Sequence, residues 1–229
     1  MTRSNEAVEV YLEVGSKRVV AGAIEWPGWC RIGRDEESAL QSLLDYGPRY
    51  SRVLDRSSLG FSPPDRREAL AVVERLAGDA STDFGVAGAA PAADSRPVGD
   101  AELTRLEEIL SGIWRTFDEV VAKAEGKELR RGPRGGGRDV AKIIEHVLGG
   151  DRGYLRQLAW RLDLGEVEDP SERLDRTRRG ILDALRAASR GETPTRGPRG
   201  GKLWSPRYFV RRVAWHTLDH AWEIEDREV

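Results

Sequence analysis

The sequence predicts an α+β protein in which a small N-terminal α/β module precedes an all-α four-helix bundle. Apolar residues alternate over residues 7–32, the Ala-, Gly- and Pro-rich stretch near 85–99 has no period, and everything after it follows the 3.6-residue period of amphipathic helices. The expected domains are residues 1–90 and 99–229. A chain of 229 residues can bury one large core or two ordinary ones without disulfides or structural metals.

In "VEVYLEV" the residues Val8, Val10, Leu12 and Val14 share one face, and "GSK" turns the chain into "RVVAGAIEW", which predicts a β-hairpin. After "WPGWCRIG" comes "RDEESALQSLLDYG". Asp35 or a neighbour caps a helix whose apolar residues are Ala39, Leu40, Leu43 and Leu44, and Gly47-Pro48 ends it. Residues 69–76, "ALAVVERL", fit a short strand or a helix equally. The stretch "GVAGAAPAADSRPVGD" reads as a linker. Residues 100–125 form a helix opened by an Asp cap, with Leu103, Leu106, Ile109, Leu110, Ile113, Phe117, Val120 and Val121 on one broad face. Further helices are expected at 138–162, at 170–190 with Pro170 in its first turn, and at 206–227 with Pro206 in its first turn. Four such helices close most simply into a bundle.

Charge and composition remove several function classes. The chain has 37 basic and 39 acidic residues and a net charge of −2, so no overall field draws it to nucleic acid or to an anionic membrane. Its single cysteine, Cys30, cannot form an intramolecular disulfide, and in a strand it reads as a small buried hydrophobe. "MTRSNEAVEV" has no apolar signal core, and no apolar run approaches the roughly 18 residues of a membrane span. The expectation is a soluble cytoplasmic protein.

The histidines carry the chemistry. The chain has three. His216 and His220 in "RRVAWHTLDHAWEIEDR" are spaced i, i+4, so both rings leave one helix face a turn apart. His146 in "VAKIIEHVLGGDRGYLRQLAW" lies about 8 residues into its helix and His216 about 10 into its own, so neighbouring helices would bring all three to similar depth. Three neutral imidazoles with an open fourth position suit a divalent ion such as zinc, iron or nickel, beside which a water or thiol becomes acidic. Spacing alone leaves a second reading open, three satisfied structural histidines. Glu223, one turn past His220, reads as a solvated charge or a fourth ligand, and Asp219 as a candidate partner for a ligating ring. Tyr154 and Trp215 are candidates for the pocket wall.

One histidine in the second long helix followed by "HTLDH" in the fourth resembles the DinB-like superfamily of four-helix metalloenzymes over roughly residues 99–229. In that family three histidines bind a divalent metal, and members include thiol-dependent S-transferases and a mycothiol-dependent isomerase. The resemblance implies His146, His216 and His220 as ligands and a small thiol as partner. The stretch "VVAGAIEWPGWCRIGRDEESALQSLLDYG" is similar to a HicB-like module, which pairs with a partner protein or with itself as a homodimer. Within it Pro27-Gly28 makes the turn, and Trp26 and Trp29 pack on the sheet.

The hexapeptide "RGPRGG" occurs at 131–136 and again at 196–201, each ahead of a helix, where arginines and free backbone amides favour anions. The plainer reading is two exposed basic loops. Two function classes follow: a metal-dependent transferase or isomerase using a small thiol, and a non-catalytic partner-binding protein with a structural metal or none.

Overall fold

In the computed structural model, residues 7–131, 137–194, 196–197 and 200–228 are described. The chain divides into two compact units, Met1–Arg96 and Pro97–Val229.

The first unit is built on a sheet of order β3-β2-β1-β4, from β1 (Val8–Val14), β2 (Val19–Ala23), β3 (Cys30–Gly33) and β4 (Leu70–Ala77). The predicted hairpin is present, with Val10, Leu12 and Val14 opposite Ala23, Ala21 and Val19. The Asp83 carboxylate takes the backbone N–H groups of Lys17 and Arg18, which holds the hairpin turn. "ALAVVERL" becomes a strand because β1 offers it a parallel partner, Val8 opposite Leu70 through Val14 opposite Ala77. Asp35 caps α1 (Glu36–Asp45) in a reciprocal box with Ser38. Gly47-Pro48 ends that helix and at once begins α2 (Gly47–Val53), since proline fits the first turn of a helix. Trp29 is fully buried, donates to the Leu43 carbonyl at 2.8 Å and stacks on Tyr50. Cys30 is buried.

Two sequence expectations change here. Val14 is exposed, while Tyr11 and Glu13 are buried, so β1 does not keep a simple inside–outside alternation. Glu13 is held in place by the stretch read as a linker. After α3 (Ala80–Phe84), the amides of Gly88 and Ala89 donate to Glu13 at 2.9 Å, and that of Ala92 donates to Glu74. Residues 88–92 are therefore fastened to the sheet by carboxylates.

The second unit contains α4 (Asp100–Lys123), α5 (Val140–Arg156), α6 (Pro170–Ser189) and α7 (Pro206–Arg227). Gly99, not Asp100, occupies the cap of α4; Asp100 is its first helical residue, where a negative charge favours the helix N-terminus. Asp139, Asp169 and Ser205 cap the other three through their side chains, and Pro170 and Pro206 open α6 and α7. Helix α5 stops at Arg156, short of the expected 162. Ala159 turns left-handed at φ 54°, Trp160 donates back to the Leu155 carbonyl, and Leu162 packs on Gly180 of α6, where a β-carbon would lie 2.6 Å away.

Ion pairs mark the helix directions. Arg207 and Glu102 join the starts of α7 and α4, so these run parallel. Arg173 and Glu145 likewise join the early turns of α6 and α5. Arg186–Glu107 and Arg178–Asp118 join α6 to α4 in opposite senses, so the two pairs are antiparallel. The shared interior is apolar: Ile109, Ile113 and Phe117 of α4, Ile143 and Val147 of α5, Ile181 and Leu185 of α6, and Phe209, Val213, Leu218 and Ile224 of α7. Among the described residues, no helix is long and apolar enough to cross a membrane.

Candidate metal centre

Helices α5 and α7 meet along one stripe of each. On α5 the stripe is His146, Gly150 and Tyr154; on α7 it is Arg212, His216 and His220, each set spaced by four residues. The stripes run antiparallel. Tyr154 meets Arg212, Gly150 meets His216, and His146 meets both His216 and His220. The starts of α5 and α7 consequently lie at opposite ends of the unit. Residues 132–136 of the first "RGPRGG" and residues 198 and 199 of the second fall outside the described residues.

The three histidines that the sequence singles out are thus brought together. His146 and His216 face each other through Nε2 at 3.2 Å, and one ligand atom from each of the three rings fits within 4.8 Å of the others. Burial is the main cause that lowers the basicity of His146, with His220 and Arg138 adding to it. His216 is pushed down to about 2, first by burial, then by His220, His146 and Arg212. Two neutral imidazoles therefore bring ring nitrogens to a common spot, and each offers a lone pair there in the tautomer that carries its proton on the other nitrogen.

His220 is anchored differently. Its Nδ1 meets Glu223 Oε2 at 2.8 Å, and Glu223 is held down to about 2, chiefly by that hydrogen bond and then by His220 and Arg227 charge. An ionised carboxylate only accepts, so Nδ1 carries a proton and Nε2 is the ring nitrogen left to ligate an ion. Glu223 is held in turn by buried Arg227, which also donates to the carbonyls of Arg130 at 2.7 Å and Arg138 at 2.9 Å. Glu223 is half-buried, with one carboxylate oxygen on His220 and the other on Arg227; Asp219 is half-buried on the same helix. Around His216, Tyr154 stands edge-on at 5.6 Å and Trp215 lies at 6.1 Å. Trp204, which the sequence did not single out, packs on Tyr154 at 5.4 Å. Arg212 lies over the rings of Tyr154 and Trp215.

A donor set of three imidazoles, one of them backed by a carboxylate, fits a divalent transition metal. Residues 109–224, which contain all three histidines, match the DinB superfamily. The chain belongs to that superfamily. The matched span covers both "HTLDH" and His146 and leaves the N-terminal sheet outside it. No curated protein and no solved structure showed a significant match.

Proposed function

We propose that this DinB superfamily chain is a divalent-metal-dependent enzyme that activates a small thiol for a transfer or isomerisation reaction. In this reading residues 97–229 are a four-helix bundle of the DinB type, and the ion rests on His146, His216 and His220. The supporting observation is the meeting of three histidine nitrogens within 4.8 Å where α5 and α7 pack. A divalent ion bound there supplies Lewis acidity, which lowers the pKa of a thiol or water that reaches its open position.

The chain's own residues do the rest. Glu223 holds the Nδ1 proton of His220 and keeps that ring's Nε2 lone pair turned to the cluster. With Glu223 engaged by His220 and Arg227, the fourth position is left to a small molecule. Tyr154, Trp204 and Trp215 wall the His216 side with aromatic surface and exclude water from it. The N-terminal unit has a strand, Pro-Gly turn, strand and acid-capped helix in the order of a HicB-like module, which supports a partner-binding or homodimerising role for it.

The test is cobalt substitution. Cobalt-loaded protein titrated with low-molecular-weight thiols should develop a sulfur-to-metal charge-transfer band that is absent in His216→Ala. Protein that stays metal-free in excess zinc and nickel would show the histidines to be structural. Tight cobalt binding with a spectrum indifferent to every thiol would leave a structural metal without this chemistry.

A further inference from the structure

Helix α5 carries glycines at 149, 150 and 153, and each weakens a helix interior relative to alanine. For Gly149 and Gly153, no atom of the described residues beyond their own helix turn lies within 4 Å of where a β-carbon would stand. Gly150 differs. A β-carbon there would lie 2.4 Å from Cε1 of His216, 2.8 Å from its Nδ1 and 3.4 Å from its Nε2. Packed atoms do not approach so closely, so an alanine at 150 demands that either the ring or the helix move.

His216 is the part free to yield. Its Nδ1 is buried without a hydrogen-bond partner among the described residues, whereas His220 is tied to Glu223. What fixes the His216 ring is packing: Tyr154 and Trp215 to the sides, and the bare α-carbon of Gly150 beneath. His146 lies one turn before Gly150 on the same helix, so any displacement of the ring away from α5 also takes its Nε2 away from His146.

We infer that Gly150 is a positioning residue of the histidine cluster, whose missing side chain lets His216 lie against α5 within 3.2 Å of His146. The inference rests on the metal reading for its functional consequence, because the displaced ring is one of the three proposed donors. It also makes a statement about packing that holds in metal-free protein.

The experiment compares Gly149→Ala, Gly150→Ala and Gly153→Ala in the full chain. Cobalt affinity is measured by competition with a chelator, and melting temperature is measured in excess chelator. Gly150→Ala should lose about 10–100-fold in affinity. Gly149→Ala and Gly153→Ala should keep wild-type affinity and melt about 2–4 °C higher, through helix propensity. Equal cobalt affinity for Gly150→Ala and wild type overturns the inference, as does an equal loss in all three variants. Should Gly150→Ala be too damaged to titrate, the double variant Gly150→Ala/His216→Ala removes the overlap and should melt about 2–4 °C above His216→Ala alone, as the other two glycine variants do relative to wild type. A double variant as damaged as Gly150→Ala places the clash elsewhere and refutes the inference. Wild-type protein that binds no cobalt defeats the metal reading alone; the packing is then read from the Cε1–H proton resonance of His216 in the metal-free chain. Gly150→Ala must shift that resonance and Gly153→Ala must not; an unmoved resonance overturns the inference independently of any metal.

Discussion

The Nε2 atoms of His146 and His216 lie 3.2 Å apart although 70 residues separate them in the chain. Two nitrogens ligating one tetrahedral ion at about 2.1 Å stand roughly 3.4 Å from each other, so the pair already has a chelating separation. Burial keeps both rings neutral, which removes the charge repulsion that would otherwise part them. His146→Ala, His216→Ala and His220→Ala should each drop bound divalent metal well below one equivalent, since two imidazoles hold such an ion poorly. Elemental analysis of protein purified without added metal checks this. Retention of a full equivalent in any single variant would remove that histidine from the donor set.

The carboxylate behind His220 gives a graded effect. Glu223→Gln keeps a hydrogen-bond acceptor for Nδ1 but loses the negative charge, so metal affinity should fall about 10–100-fold while the fold persists. Arg227→Met leaves Glu223 without its buried cation and breaks the bonds to the Arg130 and Arg138 carbonyls. Its cost should appear as stability, about 3 kcal/mol in urea unfolding of metal-free protein. An Arg227→Met chain as stable as wild type would show that this buried cation adds nothing net.

How far the sequence reveals these relationships depends on whether the signal is local. The starts of α6 and α7 are legible because Asp169, Ser205, Pro170 and Pro206 act on their own first turns. The end of α5 is not legible: Leu158 and Leu162 continue an apolar pattern, and what decides the matter is the packing of Leu162 on Gly180. Residues 70–77 stay ambiguous until β1 is available to pair with them. The histidine cluster is legible from the rarity of histidine and its i, i+4 spacing. Gly150, Arg212 and the Arg227–Glu223 pair are not, because they matter only through the antiparallel register of α5 on α7. That register is a property of two helices together.

Part of the stretch 85–99 is tied to the sheet. Glu13 is buried, accepts from the Gly88 and Ala89 amides and bonds the Thr82 hydroxyl, so residues 82–89 are held to β1. Glu13→Ala removes both acceptor oxygens and leaves the Gly88 and Ala89 amides without them, which should cost about 1–3 kcal/mol. It should also make residues 85–92 the first site of limited proteolysis, whereas the wild-type chain resists cleavage there. Early cleavage of wild type within 86–92, at the same rate as the variant, would show that Glu13 does not hold the segment.

Asp151 supplies a pH dependence with a definite sign. It sits in α5 at 2% exposure with Oδ1 unpartnered among the described residues, and burial raises its pKa from 3.8 to about 7, against the pull of Arg178. Arg178 is already engaged by Asp118 on α4, so its charge is shared. Between about pH 4 and pH 7 the folded chain keeps a proton that the unfolded chain has released. Stability must therefore fall as pH rises through this window and stay low above it. A shift of about three units corresponds to a penalty of up to ~4 kcal/mol above pH 7 and none below pH 4. Asp151→Asn is neutral throughout and of similar size, so it should match wild type near pH 4 and be the more stable protein at pH 8. Urea unfolding of both chains across pH 4–8 isolates this one group, because the other carboxylates cancel in the difference. Parallel curves would mean that Asp151 is ionised in the folded chain and that Arg178 neutralises it.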